Sequence, residues 1–426
     1  MMLDRIRRAP RRFGVPGLAE DVAWTLGLQA LGVITVAASF LMLGRELGPS
    51  SYGEYVGLFA VTTPLSTVGY AAGLSVVQFT FREGRSADDA SARFWGLVLL
   101  IGSASSLVAI AVAAWTLSLG LVEIVAIAVS ELIVGSSIRV LAASQRAPAG
   151  VGGQMRVEIG YTIVRFSVLA SLFVTDSLTV RNLAIGWLVA FTAYMFVLVL
   201  VWLPLAGRRL RLEGPGSAEV TSVVQMGAPL FANNFQVNGD KIVLNANGLN
   251  TDAGHYGAAF RVASLAMVPI QSMESALFHR FLDSDDDALS QHTTRAVRYS
   301  GLFLAVVVPV AMVMWVMAPH FDFLLGSEFQ ESETMIRWLT LWLPFQALSG
   351  VPFNALMGLG RFNTRLVLVL SSAALSMVMY LLLIPSMGWE GAVIGTIISE
   401  IYLVIVGWIA LLRAQRIHNA TVLTRM

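Results

Sequence analysis

Ionisable side chains interrupt several long apolar segments of this chain. Glu131 and Arg165 lie near the middle of two neighbouring segments, and Asp240, Lys241 and Arg261 lie in two others. A charge at the centre of a bilayer costs at least ~2.5–3.5 kcal/mol on insertion scales, so it normally faces an opposite charge or a water-filled cavity. In such a cavity the cations could bind an anionic ligand, and the carboxylates could serve as counter-ions or bind a coupling ion.

The segment at residues 221–245 is the most polar of these. Two stripes of polar residues follow helical spacing along it, one made of Asn234, Asn238, Lys241 and Asn245 and the other of Asn233, Gln236 and Asp240. Glycine and proline within the segment predict a bent helix, whose freed backbone groups water in a cavity could satisfy. The stripes therefore either line a hydrated path and contact substrate, or bury against neighbouring helices through structural hydrogen bonds.

Each pair of opposite charges has two interpretations. Glu131 and Arg165 fall at similar depth because their segments form an antiparallel hairpin. Arg165 could bind an anion with Glu131 as counter-ion or coupling carboxylate, or the two could form a structural ion pair. Asp240 and Arg261 share a depth in the same way, close to Lys241, and could form a structural or gating pair or contact substrate directly. The sequence leaves both interpretations open.

The composition is that of a membrane protein. Of the 426 residues, 56% are hydrophobic and only 13% are charged, and the mean hydropathy is +0.72, whereas a globular domain has about twice that charged fraction. The chain has no cysteine, which excludes disulfides, thiolate metal sites and a cysteine nucleophile. Zincin, nucleophile-elbow and P-loop motifs are absent, and the five histidines lack metal-ligand spacing. We therefore expect no enzymatic activity, no resident metal and no nucleic-acid partner.

Twelve segments are long and apolar enough to cross a membrane, for which a helix needs about 20 residues. They predict an all-α integral membrane protein, with spans at residues 22–43, 55–80, 94–117, 120–141, 157–175, 182–205, 221–245, 255–279, 299–318, 335–357, 364–385 and 391–412.

Arginine is distributed unevenly among the loops between these spans. Loops with several arginines, such as the one with Arg82, Arg85 and Arg93, alternate with loops in which Arg45 or Arg181 stands alone. Arginine-rich loops stay in the cytoplasm during insertion. The pattern predicts a multi-pass protein of the cytoplasmic (inner) cell membrane with both termini in the cytoplasm.

Two short motifs recur at nearly the same separation. Tyr52-Gly53 returns as Tyr256-Gly257, 204 residues later, and the motif that begins at Arg93 returns at Arg298, 205 residues later. Two collinear matches at corresponding loops predict a duplication of six spans.

This duplication predicts two six-helix lobes. Residues 1–207 form the N-terminal lobe with the first six spans, residues 208–219 form a cytoplasmic linker, and residues 220–426 form the C-terminal lobe. An even number of spans separates the copies, so the lobes are parallel and related by a pseudo-two-fold axis around a central cavity, as in many secondary transporters.

Three stretches carry a family resemblance: the turn Leu43–Tyr55 (LGRELGPSSYGEY), the stretch from Asp240 to Arg261 with Gly254–Gly257 (GHYG), and Met387–Gly395 (MGWEGAVIG). With them the chain resembles the polysaccharide flippases, the lipid-linked oligosaccharide branch of the multidrug/oligosaccharidyl-lipid/polysaccharide (MOP) exporter superfamily. The resemblance implies twelve helices in two lobes that move lipid-linked sugars by alternating access. It also implies that Arg165, Lys241 and Arg261 hold a pyrophosphate.

The function expected on this basis is translocation of a polyprenyl-pyrophosphate-linked oligosaccharide for O-antigen (lipopolysaccharide) or exopolysaccharide biosynthesis. Its partners would be the lipid-linked oligosaccharide, membrane lipids and a glycan polymerase or glycosyltransferases of the same pathway, and we expect a monomer. The alternative is a multidrug or metabolite exporter of the same fold, driven by Na⁺ or H⁺. A membrane glycosyltransferase is disfavoured because the longest outer loop, Pro319 to Thr334, is short. No cofactor is expected apart from a coupling ion.

The arginine pattern gives a prediction about topology. Because the chain has no native cysteine, single cysteines introduced at Ser50 or Thr251 should react with a membrane-impermeant thiol reagent added to intact cells. Cysteines at Ser86 or Ser217 should react only after the membrane is opened. Labelling of Ser86 or Ser217 positions in intact cells would overturn the twelve-span topology.

Overall fold

The computed structural model describes residues 15–205, 207–208, 211–278 and 292–423, and all regular secondary structure in these ranges is helical. This confirms the predicted all-α class. The main helices are α1 Val15–Phe81, α2 Ala87–Thr116, α3 Leu121–Ser144, α4 Arg146–Val174, α5 Val180–Leu205, α6 Ser217–Ala246, α7 Asn250–Ala266, α8 Val268–Phe278, α9 His292–Met317, α10 Ser332–Thr340, α11 Trp342–Gly358, α12 Phe362–Met387 and α13 Trp389–Leu423.

Within the described residues, eight helices are long and apolar enough to cross a membrane. One of them, α1, contains two predicted spans, so the eight account for nine of the twelve. The other three predicted spans correspond to α6, to α7 with α8, and to α10 with α11. The helix α6 is long but too polar to count as apolar enough to cross a membrane. The other two spans are interrupted at Met267 and Leu341. Polar or broken spans are typical of segments that line a cavity or a binding site.

The helix α1 bends at a single residue. Gly48 has φ +65° and ψ 171°, a conformation that an L side chain rarely adopts. Pro49 follows, and proline is favoured where a helix begins because its missing N–H would have no partner there. The two predicted spans therefore belong to one long helix and are separated by this bend.

Helix ends follow local sequence signals. Thr179 lies before α5 in an extended conformation, and its side chain accepts a hydrogen bond from the backbone N–H of Asn182 at 3.1 Å. Gly388 ends α12 with φ +58° and ψ −134°, a conformation that glycine adopts easily because it has no Cβ, and α13 begins at Trp389.

The chain divides into two compact units. One comprises the described residues of Met1–Phe40 together with Val68–Leu107 and Val125–Gly227, and the other comprises Leu41–Thr67, Val108–Ile124 and the described residues of Ala228–Met426. The second unit thus takes parts of α1, α2 and α3 from the first half of the sequence. The two predicted lobes concern sequence duplication, which these units do not test, and they stay a prediction.

In the first unit, charged residues gather where α2 and α6 begin. Arg85 Nη1 lies 2.6 Å from Glu219 Oε1, and Arg93 contacts both Glu219 and Glu213 at 3.5 and 3.3 Å. Burial by itself would raise the pKa of the Glu219 carboxyl, but its backbone N–H hydrogen bond and Arg85 lower that pKa below its ordinary value. These ion pairs tie the segment before α6 to the start of α2.

In the second unit, α1 and α7 approach through glycine. An added Cβ on Gly53 would lie 1.9 Å from the carbonyl oxygen of Asn250, and one on Gly254 would lie 1.9 Å from that of Pro49. Small residues at helix interfaces let backbones approach this closely. The repeated motif predicted from sequence therefore lies where its first copy packs on its second.

We predict that Gly53→Ala destabilises the protein, because its Cβ meets backbone rather than a side chain that can turn away. Overpacking of this kind costs ~1–3 kcal/mol, so the midpoint of thermal unfolding in detergent should fall. The matched control is Gly301→Ala, whose Cβ would meet nothing within 4 Å and should leave the midpoint unchanged or slightly raised. Equal midpoints for the two variants would contradict the close approach.

Candidate functional site

The first candidate group lies in the first unit and centres on Glu131. This carboxylate sits in a π-helical stretch of α3, Val129–Gly135. In the most apolar part of α3, 67% of the residues are buried, the largest share among the eight long helices described. Glu131 Oε1 lies 2.9 Å from Arg165 Nη2 of α4, and the Glu131 side chain is only 6% exposed. The predicted shared depth of these two residues thus corresponds to an ion pair.

Arg165 is positioned from its other side by α5. Its guanidinium lies over the ring of Trp187, 4.6 Å from the ring centroid, and the Trp187 indole N–H donates to the Arg165 carbonyl oxygen at 3.0 Å. The Arg165 side chain is nevertheless 31% exposed. A guanidinium has five N–H donors in a planar fork, and one edge of Arg165 faces Glu131 while part of the side chain stays accessible.

The second candidate group lies in the second unit and centres on Asp240. Lys241 Nζ contacts Asp240 Oδ1 at 2.9 Å, and the hydroxyl of Tyr256 donates to Asp240 Oδ2 at 2.7 Å. Lys241 Nζ also donates to the Val237 carbonyl oxygen at 2.7 Å and lies 3.7 Å from the ring centroid of Phe260. Asp240 and Lys241 are 1% and 4% exposed. The pair is buried, and both carboxylate oxygens have a partner.

The amide stripe of α6 is more accessible than this pair. Asn233 is exposed, and Asn234 and Asn238 are half-buried. The side-chain amides of Asn234 and Asn238 donate to backbone carbonyls one turn earlier, at 2.9 and 2.8 Å. Their amide oxygens stay available as acceptors. The predicted polar face therefore has an accessible amide part and a buried part at Asp240 and Lys241.

Arg261 lies apart from Asp240. Its side chain is exposed, and its guanidinium lies beside the buried hydroxyl of Tyr52. No ion pair joins Asp240 to Arg261 among the residues that the structure describes. Lys241 takes that place because it is adjacent to Asp240 in sequence and can fold back along the same helix.

Sequence reasoning missed the aromatic residues that hold these charges. Trp187 and Tyr256 are contact residues of Arg165 and Asp240, and Tyr380 joins Thr396 by a hydrogen bond of 2.9 Å between their hydroxyls. Aromatic residues in apolar spans carry little signal of their own. The sequence signal for Tyr256 as a contact residue was weak: it lies one turn before Phe260, on the span that follows the one with Asp240.

We predict that the two members of the first pair differ in their cost to stability. Arg165→Met leaves the buried Glu131 without its cation, whereas Glu131→Gln leaves an arginine that still reaches water. Breaking a buried pair costs ~3–5 kcal/mol when the remaining charge cannot be solvated, so Arg165→Met should lower the unfolding midpoint more, and the double variant should recover most of the loss. Midpoints measured for the three variants in detergent check this order.

Ligand binding by Arg165 would appear in transport rather than in stability. The double variant should then be stable and inactive, and Arg165→Lys should keep part of the activity because a point charge still attracts an anion without the bidentate geometry of guanidinium. Full transport by the double variant would exclude a binding role for Arg165.

Comparisons with known proteins point to one fold. No protein-family model and no curated protein sequence matches the chain. Among solved structures, an inward-facing multidrug resistance MATE family transporter of the MOP superfamily is 15% identical over 92% of this chain and 96% of its own, with a TM-score of 0.70. An outward-facing multidrug resistance MATE family transporter of the MOP superfamily is 16% identical over 93% of this chain and 99% of its own, with a TM-score of 0.57.

A third structure differs in its stated chemistry. It is a MOP superfamily transporter from Pyrococcus furiosus, described as having a binding pocket of reverse polarity that suggests a different function. It is 13% identical over 94% of each chain, with a TM-score of 0.59. The twelve-helix, two-lobe layout expected from the sequence fits this fold, so the chain is a multi-pass membrane protein with the fold of MOP superfamily transporters.

Proposed function

We propose that this protein is a flippase that moves a polyprenyl-pyrophosphate-linked oligosaccharide across the cytoplasmic membrane by alternating access, with both termini in the cytoplasm. The substrate would serve O-antigen or exopolysaccharide biosynthesis. Its charged head and sugars cannot cross hydrocarbon unaided, because an ion without compensating groups is far too costly there.

One observation carries the proposal: the accessible polar groups of the two candidate groups are cations and neutral amides. Arg165 is 31% exposed and Arg261 and Asn233 are exposed, whereas the side chains of Glu131 and Asp240 are 6% and 1% exposed and face cations. Within each unit the accessible polar side chains of its candidate group are therefore positive or neutral, which suits a pyrophosphate and hydroxyl-rich sugars.

The chemistry of each accessible group fits a part of this substrate. Guanidinium groups such as those of Arg165 and Arg261 bind phosphate oxygens with two parallel hydrogen bonds. The amide oxygens of Asn233, Asn234 and Asn238 can accept from sugar hydroxyls, and the amide N–H groups can donate to them. Lys241 would act through its charge rather than by contact, since it is buried against Asp240.

The fold supports transport by alternating access. Inward-facing and outward-facing structures are both known for transporters with this fold. The reverse polarity stated for the pocket of the Pyrococcus furiosus transporter gives a precedent within this fold for linking pocket charge to a change of function. A cationic site on this chain would be a further example.

The alternative is an ion-coupled multidrug or metabolite exporter. Solved structures with this fold include multidrug resistance transporters, and Glu131 and Asp240 could bind organic cations if they were released from Arg165 and Lys241. This alternative requires both carboxylates to become accessible, which the flippase does not. For either function, Na⁺ or H⁺ is the candidate coupling ion.

The two functions can be separated in one set of proteoliposomes. The probe is a nitrobenzoxadiazole-labelled polyprenyl-pyrophosphate disaccharide, with dithionite as the impermeant quencher. With the active protein, the quenched share should rise from the outer-leaflet pool to nearly the whole pool. The same vesicles, loaded with ethidium, should release it no faster than protein-free vesicles.

Two variants serve as controls for this assay. The double variant Arg165→Met with Glu131→Gln should stop probe movement, because it removes the exposed guanidinium and its buried counter-charge together. Gly301→Ala places its Cβ in open space and should keep full activity. Ethidium release by the wild type, without probe movement, would establish the exporter instead.

A further inference from the structure

The last helix carries a buried carboxylate that the candidate site above does not use. Glu400 of α13 is 6% exposed, and its Oε2 is buried without a hydrogen-bond partner in the part of the chain that the structure describes. A carboxylate in a membrane-spanning helix is costly in its charged form and is most often functional. An oxygen that lacks a donor makes the charged form costlier still, because its desolvation is not compensated.

The facing helix offers groups that a neutral carboxylic acid can use. Trp342 and Ser349 of α11 lie beside Glu400, and both are 5% exposed. The Trp342 indole N–H is buried and faces the Glu400 carboxyl. The Gln346 side-chain oxygen is buried and has no hydrogen-bond donor among the described residues. Residues 342, 346 and 349 fall on one face of α11, which packs on α13. Once Oε2 is protonated it becomes a donor, and Gln346 Oε1 is an acceptor on that face.

Few charged groups reach Glu400. Glu400 acts on Glu274 of α8 as a like charge, and Arg365 of α12 acts on Glu274 as an opposite one. The Glu274 carboxylate lies against Gly350 of α11, 1.9 Å from where a Cβ would stand. From α12, Tyr380 also senses Glu400, while no charged side chain of α7, α9, α10 or α11 is among the described groups that act on it.

Glu400 is also connected to the Asp240 group. Thr396 lies one turn before it on α13, and its hydroxyl is 2.9 Å from that of Tyr380. Tyr256 hydrogen-bonds Asp240 and lies beside Thr396. A line of polar groups therefore runs inside the second unit from Lys241 and Asp240 to Glu400.

We propose that Glu400 is a proton-binding carboxylate that couples transport to a proton gradient. It takes one proton from water when the site is open to the acidic side, forming a neutral acid that hydrogen-bonds across to α11, and it returns that proton to water on the other side. This proposal rests on the proposed transport function and names its coupling ion.

The neighbours favour a proton over Na⁺. An indole N–H is a donor only and cannot be a ligand of a metal cation. Arg365 places a positive charge beside Glu274, the other carboxylate of this region. That positive charge repels a metal cation such as Na⁺. A proton needs a single oxygen, and Glu400 Oε2 is an oxygen that receives no hydrogen bond from the described residues.

The test begins with a measurement that needs no substrate. Infrared difference spectra of the purified wild-type protein, recorded as the pH is lowered, should contain the C=O band of a carboxyl that becomes protonated. That band should be missing in Glu400→Gln and present in the matched control Glu390→Gln, which replaces an exposed carboxylate on the same helix. Glu400→Asp should keep a band at a changed frequency, which separates loss of the titrating group from loss of folding. Retention of the wild-type band in Glu400→Gln would overturn the proposal.

Transport in proteoliposomes then tests the coupling. An imposed pH gradient should change the rate of probe movement several-fold for the wild type and for Glu390→Gln, and the ratio should fall to unity for Glu400→Gln, which mimics the protonated state. Probe movement in the wild type that is indifferent to the gradient would refute coupling while leaving the flippase intact. Protonation at Glu400 without probe movement would refute the flippase while leaving the proton site.

Discussion

A charge removed from water must be compensated inside the protein, and this constraint organises both candidate groups. Glu131 is compensated by Arg165 and Asp240 by Lys241 and Tyr256, each through contacts of 2.7–2.9 Å. Pairs of this kind are weak evidence for stability, because desolvation offsets much of their attraction. Their value here lies in fixing where charge is exposed. With the carboxylates buried, the exposed polar side chains of the candidate group within each unit are guanidinium or amide groups.

Aromatic rings complete this compensation. Trp187 stacks on Arg165 and Phe260 on Lys241, at 4.6 and 3.7 Å from the ring centroids. A ring face attracts a cation without neutralising it, so the arginine keeps its charge while its rotamer is restricted. Preorganisation of this sort lowers the entropy lost when a ligand binds.

Several irregular backbone positions lie near these groups in the sequence. Helices are interrupted at Met267 and Leu341, and α1 bends at Gly48. The stretch Val129–Gly135 around Glu131 is π-helical. π-Helical turns are frequent at functional sites, and in the one around Glu131 that carboxylate contacts Arg165 of α4. Close glycine contacts between α1 and α7 then fix the depth of Tyr256 relative to the bend. The irregular positions are thus the ones that set side-chain geometry, and the regular helices supply the frame.

The amino-acid sequence by itself determined the class of the protein. Apolar length and composition established a helical membrane protein, because hydrocarbon forces each span to satisfy its own backbone, and the depth of Glu131 and Arg165 followed from the hairpin of their spans. Only the tertiary structure decided the partners. Asp240 pairs with its neighbour Lys241 rather than with Arg261, Trp187 holds Arg165, and Glu400 lies against Trp342 and Ser349. Helical periodicity places a residue on a face of its own helix, but the rotation of that face toward a given neighbour depends on packing between segments far apart in sequence, which no local pattern records.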